Sequence, residues 1–207
     1  RALGSNLIEV PVGEDMAINL DAMRRAMTKN VKLIYLCNPN NPIPTIIEKN
    51  ALKEFCNEFS PQATILIDEA YFEYVDNPNY ESMIDLVKEN KNIIVTRTAS
   101  KIHAFAGTRI GVCYANPDII KRMFSLFANT LNLSAMRGAY ASYQDFEYQN
   151  FLKQKNKECQ KIIYKMLDDM GLEYKESNAN FLFFNAGRPS KEVAETMKKH
   201  HILTGRE

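Results

Sequence analysis

The regular alternation of apolar runs with segments of helical periodicity is the feature that most constrains the fold of this chain. Apolar runs, most of them rich in β-branched residues, lie at 7–12, 31–37, 63–68, 92–98 and 109–115. Segments with a helical spacing of apolar residues lie between them at 20–27, 48–59 and 81–89. This rhythm is typical of α/β proteins, and nearly continuous apolar runs favour parallel strands that are covered on both faces. The sequence therefore predicts a mostly parallel, doubly wound sheet.

The pattern changes in the later part of the chain. Asn116 and Pro117 supply an N-cap and a first-turn proline for a helix. Residues 135–170 are mostly of helical period, and Gly171 is placed to end that segment. The apolar stripe of the segment consists of Cys159, Ile162, Ile163, Met166, Leu167 and Met170. The elements predicted to follow are a strand at 180–186, a helix at 190–200 and a last strand near 202.

This change in pattern predicts two domains. We expect a boundary near 129, so that 1–128 form part of a large domain and 129–207 part of a smaller α+β domain. The sequence begins without Met, just before a predicted strand, and ends just after another. We therefore expect a fragment that lacks both ends of its protein.

Composition excludes several classes of partner. The chain has 26 basic and 25 acidic residues, without a basic block, which makes nucleic acid a poor candidate partner. No apolar run approaches the roughly 20 residues that span a bilayer, so no membrane association is expected. The cysteines are widely separated and lack metal-site spacing; they are Cys37, Cys56, Cys113 and Cys159. We expect no metal site, and thiols that act as small core residues in the reducing cytoplasm.

Polar residues follow three successive predicted strands, in the stretches "LCNPNNP", "LIDEAY" and "TRTASK". Each stretch alone has an ordinary explanation: a turn, a helix cap at Asp68-Glu69, and a solvated lysine at Lys101. Ligands of doubly wound sheets bind outside the carboxyl ends of the strands. The three stretches are therefore predicted to converge on one crevice.

The residue types in these stretches fit one chemistry. A lysine amine can form a Schiff base with a phosphorylated pyridine aldehyde, and the neighbouring polar groups can hold that ligand. Asp68 can keep a pyridine nitrogen protonated, while Asn41 and Tyr71 can form hydrogen bonds to a ring phenolate. Thr98 and Arg109 can bind phosphate oxygens, the arginine in bidentate fashion.

With these residues in order, the chain resembles the pyridoxal-phosphate enzymes of fold type I, and among them the class I/II aminotransferases of the histidinol-phosphate aminotransferase branch. The stretches that carry the resemblance are "YLCNPNNP", "ILIDEAYFEY", "TRTASKIHAFAGTRIGV", "NANFLFF" and "HHILTGRE". The resemblance implies a homodimeric PLP-dependent transferase, with a large cofactor-binding domain and a small C-terminal domain. Its implied reaction moves an amino group between an amino acid, possibly histidinol phosphate or an aromatic amino acid, and a 2-oxo acid.

The resemblance also implies residue roles. Lys101 would form the Schiff base with pyridoxal 5'-phosphate and move a proton between the substrate α-carbon and the cofactor. Asp68 would bind the pyridine nitrogen, and Thr98 and Arg109 the phosphate. The residues implied to bind the cofactor are Asn41, Asp68, Tyr71, Thr98, Lys101 and Arg109. The catalytic residues among them are Lys101, Asp68 and Tyr71.

Two further positions match substrate-facing positions of the branch, namely Asn180 and Arg206. A structural turn at Asn180 and a surface arginine at Arg206 are equally compatible with the sequence. Ser100 matches a small residue of the family, where close packing is an alternative to a cofactor contact.

The sequence departs from the branch after "NPNNP", where Ile43-Pro44 replaces the usual Thr-Gly. His103 and Phe105 follow the lysine where the family varies, so we interpret both as packing residues. The family's glycine-rich phosphate loop, its ring-stacking aromatic residue and a tyrosine from the neighbouring subunit would precede residue 1. Its carboxylate-binding arginine would follow residue 207.

Three other functions remain open at this point. A decarboxylase similar to threonine-phosphate decarboxylase would use the same cofactor and lysine. A non-catalytic cofactor-sensing domain would be joined to a DNA-binding segment, which this sequence does not contain. An α/β domain without a cofactor would make the three strand-end stretches a coincidence.

Overall fold

A mostly parallel sheet forms the first part of the molecule, in a computed structural model that describes residues 4–89, 91–126 and 131–203. Its strands, in spatial order, are β1 (Leu33–Cys37), β2 (Thr64–Asp68), β3 (Ile93–Thr98) and β4 (Gly111–Tyr114). Strands β1, β2 and β3 are parallel, and β4 is antiparallel to β3. Cys37 is paired with Asp68, and Asp68 with Thr96, so the carboxyl ends of the three parallel strands lie side by side.

Helices alternate with these strands and then dominate the later part of the chain. They are α1 (Leu20–Ala26), α2 (Lys49–Phe59), α3 (Ile84–Lys88), α4 (Pro117–Ser125), α5 (Leu133–Gln144), α6 (Phe146–Asp169) and α7 (Ser190–Lys199). Short 3-10 helices occur at Phe72–Tyr74 and Ala106–Thr108. A small antiparallel sheet pairs β5 (Tyr174–Lys175) with β6 (Phe183–Phe184). The predicted α/β architecture is therefore present.

Side-chain caps explain where several helices begin. Asn116 accepts a hydrogen bond from the backbone N–H of Ile119, and Pro117 occupies the first turn of α4, as the sequence predicts. Asn132 caps α5 by accepting from the N–H of Ala135. Each such bond satisfies a backbone donor that the first helical turn leaves without a partner.

The core lies between the sheet and the helices that alternate with its strands. Helix α2 buries Leu52, Phe55, Cys56 and Phe59, which lie on one face at helical spacing. These side chains join a cluster that includes Ile65 and Ile67 of β2 and Ile93 and Val95 of β3. Complete burial of one such side chain stabilises the fold by about 1.5–3 kcal/mol. The core therefore holds the strand ends in place.

The two faces of β1, an edge strand of the described sheet, differ in burial. On β1, Ile34 and Leu36 are buried, whereas Leu33 is 59% and Tyr35 56% exposed. The apolar run is continuous in sequence, but neighbouring strand residues point to opposite faces, and helices of the described part cover only one face of β1.

Several predicted elements are shorter or absent in the described part of the chain. Residues 7–12 form no strand, and Leu7 and Ile8 are exposed, since no neighbouring strand pairs with them there. The strand predicted at 180–186 is reduced to β6, and none forms at 202. A strand requires a backbone partner, which an apolar pattern cannot supply by itself.

The long helical segment predicted at 135–170 is two helices. Asp145 separates them, because its backbone leaves the helical region while its side chain caps α6 through the N–H of Tyr148. The apolar stripe of this segment is largely exposed, and Cys159 is exposed with it, contrary to its expected place in a core. Leu167 is the member of the stripe that is buried. Tyr164, which lies outside the stripe, stacks on Tyr174 of β5.

The described residues form neither a membrane-spanning helix nor a cluster of metal-binding side chains. Among the described helices, none is both long and apolar enough to cross a membrane. Over the same residues, no three His, Cys, Asp or Glu side chains lie close enough together to hold a metal ion.

Candidate active site

A cavity of about 660 Å³ lies at the carboxyl ends of the parallel strands. All six residues that the sequence predicts to bind the cofactor line it: Asn41, Asp68, Tyr71, Thr98, Lys101 and Arg109. Ser100 also lines the cavity. The volume lies within the range of small-molecule sites, about 300–1,000 Å³. The convergence expected from three strand-end stretches is thus found in the structure.

Asp68, the last residue of β2, presents a carboxylate held by two hydrogen bonds. The backbone N–H of Ala70 donates to Oδ1 over 3.2 Å, and the hydroxyl of Tyr35 donates to Oδ2 over 3.3 Å. The first bond is a local turn of the chain, whereas the second comes from the neighbouring strand β1. Together they orient a half-buried anion towards the cavity.

Tyr71 and Asn41 form a phenol–amide pair. Asn41 Nδ2 donates a hydrogen bond to the Tyr71 hydroxyl over 2.9 Å. The Tyr71 side chain is buried, and the ring of Phe181 packs edge-on against it with a centroid distance of 5.0 Å. The phenol is therefore held in position from both sides, and its oxygen already has one hydrogen-bond donor.

The loop that contains Asn41 is held by backbone contacts despite its unusual Ile43-Pro44. Asn38 accepts a hydrogen bond from the N–H of Ile47 through its side-chain oxygen. The carbonyl of Pro44 accepts two hydrogen bonds from Asn178, one from its N–H and one from Nδ2. Replacement of the usual Thr-Gly therefore leaves Asn41 at the cavity.

Lys101 lies just after β3, partly buried, in a closed turn. The N–H of Ala104 donates to the Lys101 carbonyl, and the N–H of Phe105 donates to the carbonyl of Ala99. Lys101 Nζ lies 4.9 Å from the centroid of the Tyr71 ring. Within the part of the chain that the structure describes, no carboxylate forms an ion pair with this amine. Its nitrogen is therefore available to a ligand in the cavity.

Thr98 is the last residue of β3, and Arg109 follows the 3-10 helix Ala106–Thr108, two positions before β4. Thr98 Oγ1 accepts a hydrogen bond from the N–H of Ser100 over 3.1 Å. Arg109 is exposed, adopts a left-handed backbone with φ of 57°, and donates one hydrogen bond from Nη1 to the carbonyl of Ala106. Because a guanidinium has five N–H donors, the others remain for an anion.

Gly111 allows the close approach of β4 to β3 at this point. It is paired with Thr98, and a Cβ atom at this position would lie 2.9 Å from the carbonyl oxygen of Arg97. A side chain here would push the strands apart. Gly111 therefore keeps Thr98 and Arg109 at one side of the cavity.

Two residues of β1 line the cavity although the sequence did not predict them there. Tyr35 and Cys37 lie on the same face of β1, and Cys37 is paired with Asp68. Burial raises the pKa of the Cys37 thiol, and the negative charge of Asp68 raises it further. Burial also raises the pKa of Tyr35. The alternation in "LIYLC" could have placed Tyr35 and Cys37 on one face, but only the register places them beside Asp68.

A buried ion-pair cluster, defined by Glu69, Ser82 and Arg97, lies next to the cavity. Glu69 is 1% exposed and accepts hydrogen bonds from Arg97 Nη2 over 3.0 Å and from the Ser82 hydroxyl over 2.8 Å. The Arg97 guanidinium lies 3.6 Å from the ring centroid of Phe72. Arg97 also lines the cavity, a contact that the sequence did not reveal.

Of the two residues predicted to face the substrate, Asn180 lies in the described part of the chain and Arg206 does not. Asn180 is exposed and does not line the cavity, although its neighbour Phe181 contacts Tyr71. Its role stays a prediction. Arg206 lies outside the described residues.

Comparison with known proteins extends this picture. The model of the family described as "Aminotransferase class I and II" matches residues 1–206. The chain belongs to this family. It is 34% identical over 207 residues to the histidinol-phosphate aminotransferase of Moorella thermoacetica, an alignment that covers 98% of the chain and 53% of that protein. The chain thus spans about half the length of the curated relatives it matches.

Solved structures show the same fold. The crystal structure of histidinol-phosphate aminotransferase from Sinorhizobium meliloti in complex with pyridoxal-5'-phosphate has a TM-score of 0.88 and 25% identity, over 97% of this chain and 55% of that one. A structure from Erwinia carotovora atroseptica, provisionally named as the same enzyme, has a TM-score of 0.95 and 30% identity, over 99% and 60%. The predicted fold, type I of the PLP-dependent transferases, is confirmed.

Proposed function

We propose that this chain carries the cofactor site of a PLP-dependent aminotransferase. One observation supports it most directly: a lysine amine, an aspartate, a phenol–amide pair and an arginine line a single cavity at the strand ends. Family membership and the similarity to histidinol-phosphate aminotransferases support the same reaction class.

The donor groups of the cavity fit pyridoxal 5'-phosphate. Asp68 would hold a proton at the pyridine nitrogen, since its carboxylate is already oriented towards the cavity by Tyr35 and Ala70. Tyr71 and Asn41 would bind the ring oxygen, with Asn41 as the donor that positions the phenol. Thr98, Ser100 and Arg109 would bind the phosphate. Apart from Lys101, each residue that the sequence predicted to bind the cofactor thus has a role in holding it.

Lys101 has the central chemical role in this proposal. When bound, pyridoxal phosphate supplies an aldehyde that condenses with amines and a ring that withdraws electrons from the substrate α-carbon. The Lys101 amine would attach the cofactor, then leave it to the substrate amine and take the proton from the substrate α-carbon. It would deliver that proton to the cofactor's C4′, which keeps the transferred nitrogen once water has released the 2-oxo acid. The closed turn of residues 99–105 fixes the backbone of Lys101 at the cavity where the cofactor would be held.

The substrate class follows from the relatives. We propose an amino donor such as histidinol phosphate, the substrate in the names of the relatives, with a 2-oxo acid as acceptor. Asn180 and Arg206 are proposed to face this substrate, and a homodimer in the cytoplasm is proposed as the working state. The division into parts of a large domain, 1–128, and a small domain, 129–207, completes the proposal.

Replacement of Lys101 in the full-length protein tests the assignment. We expect Lys101→Ala to lower the rate of amino transfer by about 10³-fold, because both the attachment point and the proton carrier are lost. Lys101→Arg keeps the positive charge but not an amine that can lose its proton, so it should be as inactive. Borohydride reduction in the presence of pyridoxal phosphate should label Lys101 in the wild-type protein, as measured by peptide mass spectrometry.

Two results would contradict the proposal. Either variant could turn over a panel of amino donors at the wild-type rate, or the wild-type protein could release carbon dioxide without forming an oxo product. Lys121→Ala, at an exposed lysine of α4, serves as the control and should behave as wild type.

A further inference from the structure

His103 is a buried histidine close to the active lysine, and no role in the proposed reaction uses it. It is 2% exposed and lies two positions after Lys101 in sequence. Both ring nitrogens have partners: Nδ1 lies 3.0 Å from Ser142 Oγ of α5, and Nε2 lies 3.3 Å from Glu73 Oε1. The ring packs on Tyr143 at a centroid distance of 4.1 Å. The interpretation of His103 as a packing residue is therefore incomplete.

The bond to Glu73 connects two segments of the active site. Glu73 lies in the 3-10 helix that follows Tyr71, and the N–H of Tyr74 donates to the Tyr71 carbonyl. On the other side, His103 belongs to the same closed turn as Lys101. The His103–Glu73 bond therefore joins the turn that carries the amine to the segment that carries the phenol.

The His103–Glu73 hydrogen bond is suited to fix the distance between these two segments. Both side chains are almost fully buried, so water competes little for their hydrogen bond. Because carboxylate oxygens accept hydrogen bonds, Nε2 is the ring nitrogen placed to donate a hydrogen bond to Glu73. The Ser142 hydroxyl can then donate a hydrogen bond to Nδ1, so that both ring nitrogens have a partner. The pair therefore constrains the spacing of the two segments that it joins.

We infer that His103 is a positioning residue for Lys101, which acts through Glu73 to set the distance between the lysine amine and the Tyr71 ring. The inference rests on the proposed function, in which that amine both attaches the cofactor and moves the proton. A displacement of about 1 Å at such a group can reduce a rate by about 10²-fold. His103 itself touches no reacting atom in this scheme.

Three variants of the full-length protein separate the Glu73 bond from the burial of the ring. His103→Asn keeps a polar atom near Nδ1 but loses the donor to Glu73. His103→Gln places an amide donor near Nε2 and should rescue the bond to Glu73, while it loses the contact with Ser142. Ser142→Ala removes only that second contact and serves as the matched control.

The readout is the rate at which pyridoxal phosphate, trapped with borohydride, labels Lys101, with labelling of the exposed Lys121 as an internal reference. We expect about a tenfold slower labelling of Lys101 in His103→Asn, with kcat reduced similarly and KM changed less than about twofold. His103→Gln and Ser142→Ala should stay within about twofold of wild type. Glu73→Ala, which breaks the same bond from the other side and keeps the histidine ring, should match His103→Asn.

The outcomes are distinct. Equal losses in His103→Asn and His103→Gln would show that the loss of the ring, and not of the Glu73 bond, slows the labelling, and wild-type labelling in His103→Asn or Glu73→Ala would show that the bond does not position the lysine. Either result overturns the inference while the proposed function stands. A wild-type protein that is not labelled at Lys101 would overturn the proposed function and this inference with it. If His103→Asn does not fold, Glu73→Ala decides the question.

Discussion

Two neighbouring carboxylates, Asp68 and Glu69, have opposite surroundings. Asp68 is half-buried, lines the cavity and receives hydrogen bonds from Tyr35 and a backbone N–H. Glu69 is almost fully buried and is paired with Arg97 and Ser82. One residue of difference along the chain is enough to separate them, because successive side chains of an extended strand point to opposite faces. Asp68 is therefore placed for chemistry, whereas Glu69 is held in a stabilising ion pair with Arg97, which itself lines the cavity.

The Glu69 side should show the largest effect of this comparison, and it should be an effect on folding. Glu69→Leu leaves the Arg97 side chain, which is 13% exposed, without its carboxylate partner, which should lower the free energy of unfolding by up to about 3–5 kcal/mol. The double variant Glu69→Leu/Arg97→Met should recover part of that loss, since no unpaired charge remains. Chemical denaturation measures both values.

An exposed ion pair provides the control for this experiment. Lys165 and Asp169 form a pair on the solvent-facing side of α6, so Asp169→Ala should cost less than about 1 kcal/mol. If Glu69→Leu were as mild as Asp169→Ala, the two faces of the strand end would not differ as proposed.

The Asp68 side should show the reverse result, with lost activity and retained stability. We expect Asp68→Asn to lower kcat by about 10²–10³-fold, because an amide cannot hold a proton at the pyridine nitrogen by charge. The amide oxygen can still accept from the N–H of Ala70, and the Tyr35 hydroxyl can accept from the amide nitrogen instead of donating, so the free energy of unfolding should change by about 1 kcal/mol or less. Steady-state kinetics and denaturation of the same preparation give both quantities.

Asp85→Asn is the matched change at an exposed carboxylate of α3, and it should leave both quantities near wild type. Full amino-transfer activity in Asp68→Asn would remove Asp68 from the proposed site.

The smallest expected effect is on the alkylation rate of Cys37, because the charge of Asp68 raises the pKa of its thiol. Burial and that charge raise the pKa of Cys37, so its thiolate fraction at pH 8 is low and alkylation should be slow. Asp68→Asn removes the charge, lowers the pKa and should speed alkylation of Cys37 by up to about tenfold. Alkylation of the exposed Cys159 should not change, as read by mass spectrometry of the modified peptides. An unchanged rate at Cys37 would show that Asp68 does not raise the pKa of this thiol.

The sequence predicted the cavity residues better than their surroundings. Asn41, Asp68 and Lys101 could be assigned to one site because the carboxyl ends of parallel strands meet at one edge of a sheet. Tyr35 and Arg97 could not, because their contacts depend on which face of a strand is covered and on which residues face each other across strands. A packing role was predicted for His103, and the residue is buried. Its bond to Glu73 could not be predicted, because it joins residues 30 positions apart.

Errors in the fold have the same origin. The apolar run at 7–12 has the local pattern of a strand, yet it pairs with no described neighbour. The segment at 135–170 has helical period throughout, yet Asp145 interrupts it. In both cases the pattern extends over a few residues, whereas the outcome depends on contacts with other segments or on the cap of the next helix.

By itself, the sequence determined that this chain forms an α/β sheet and which polar residue types follow its strands, because side-chain periodicity and turn chemistry act between near neighbours. Only the tertiary structure decided that Tyr35 orients Asp68, that Arg97 neutralises Glu69 and that His103 connects the Lys101 turn to Glu73. These contacts join residues distant in the chain, and their partners are set by strand register and helix packing, which no local pattern specifies.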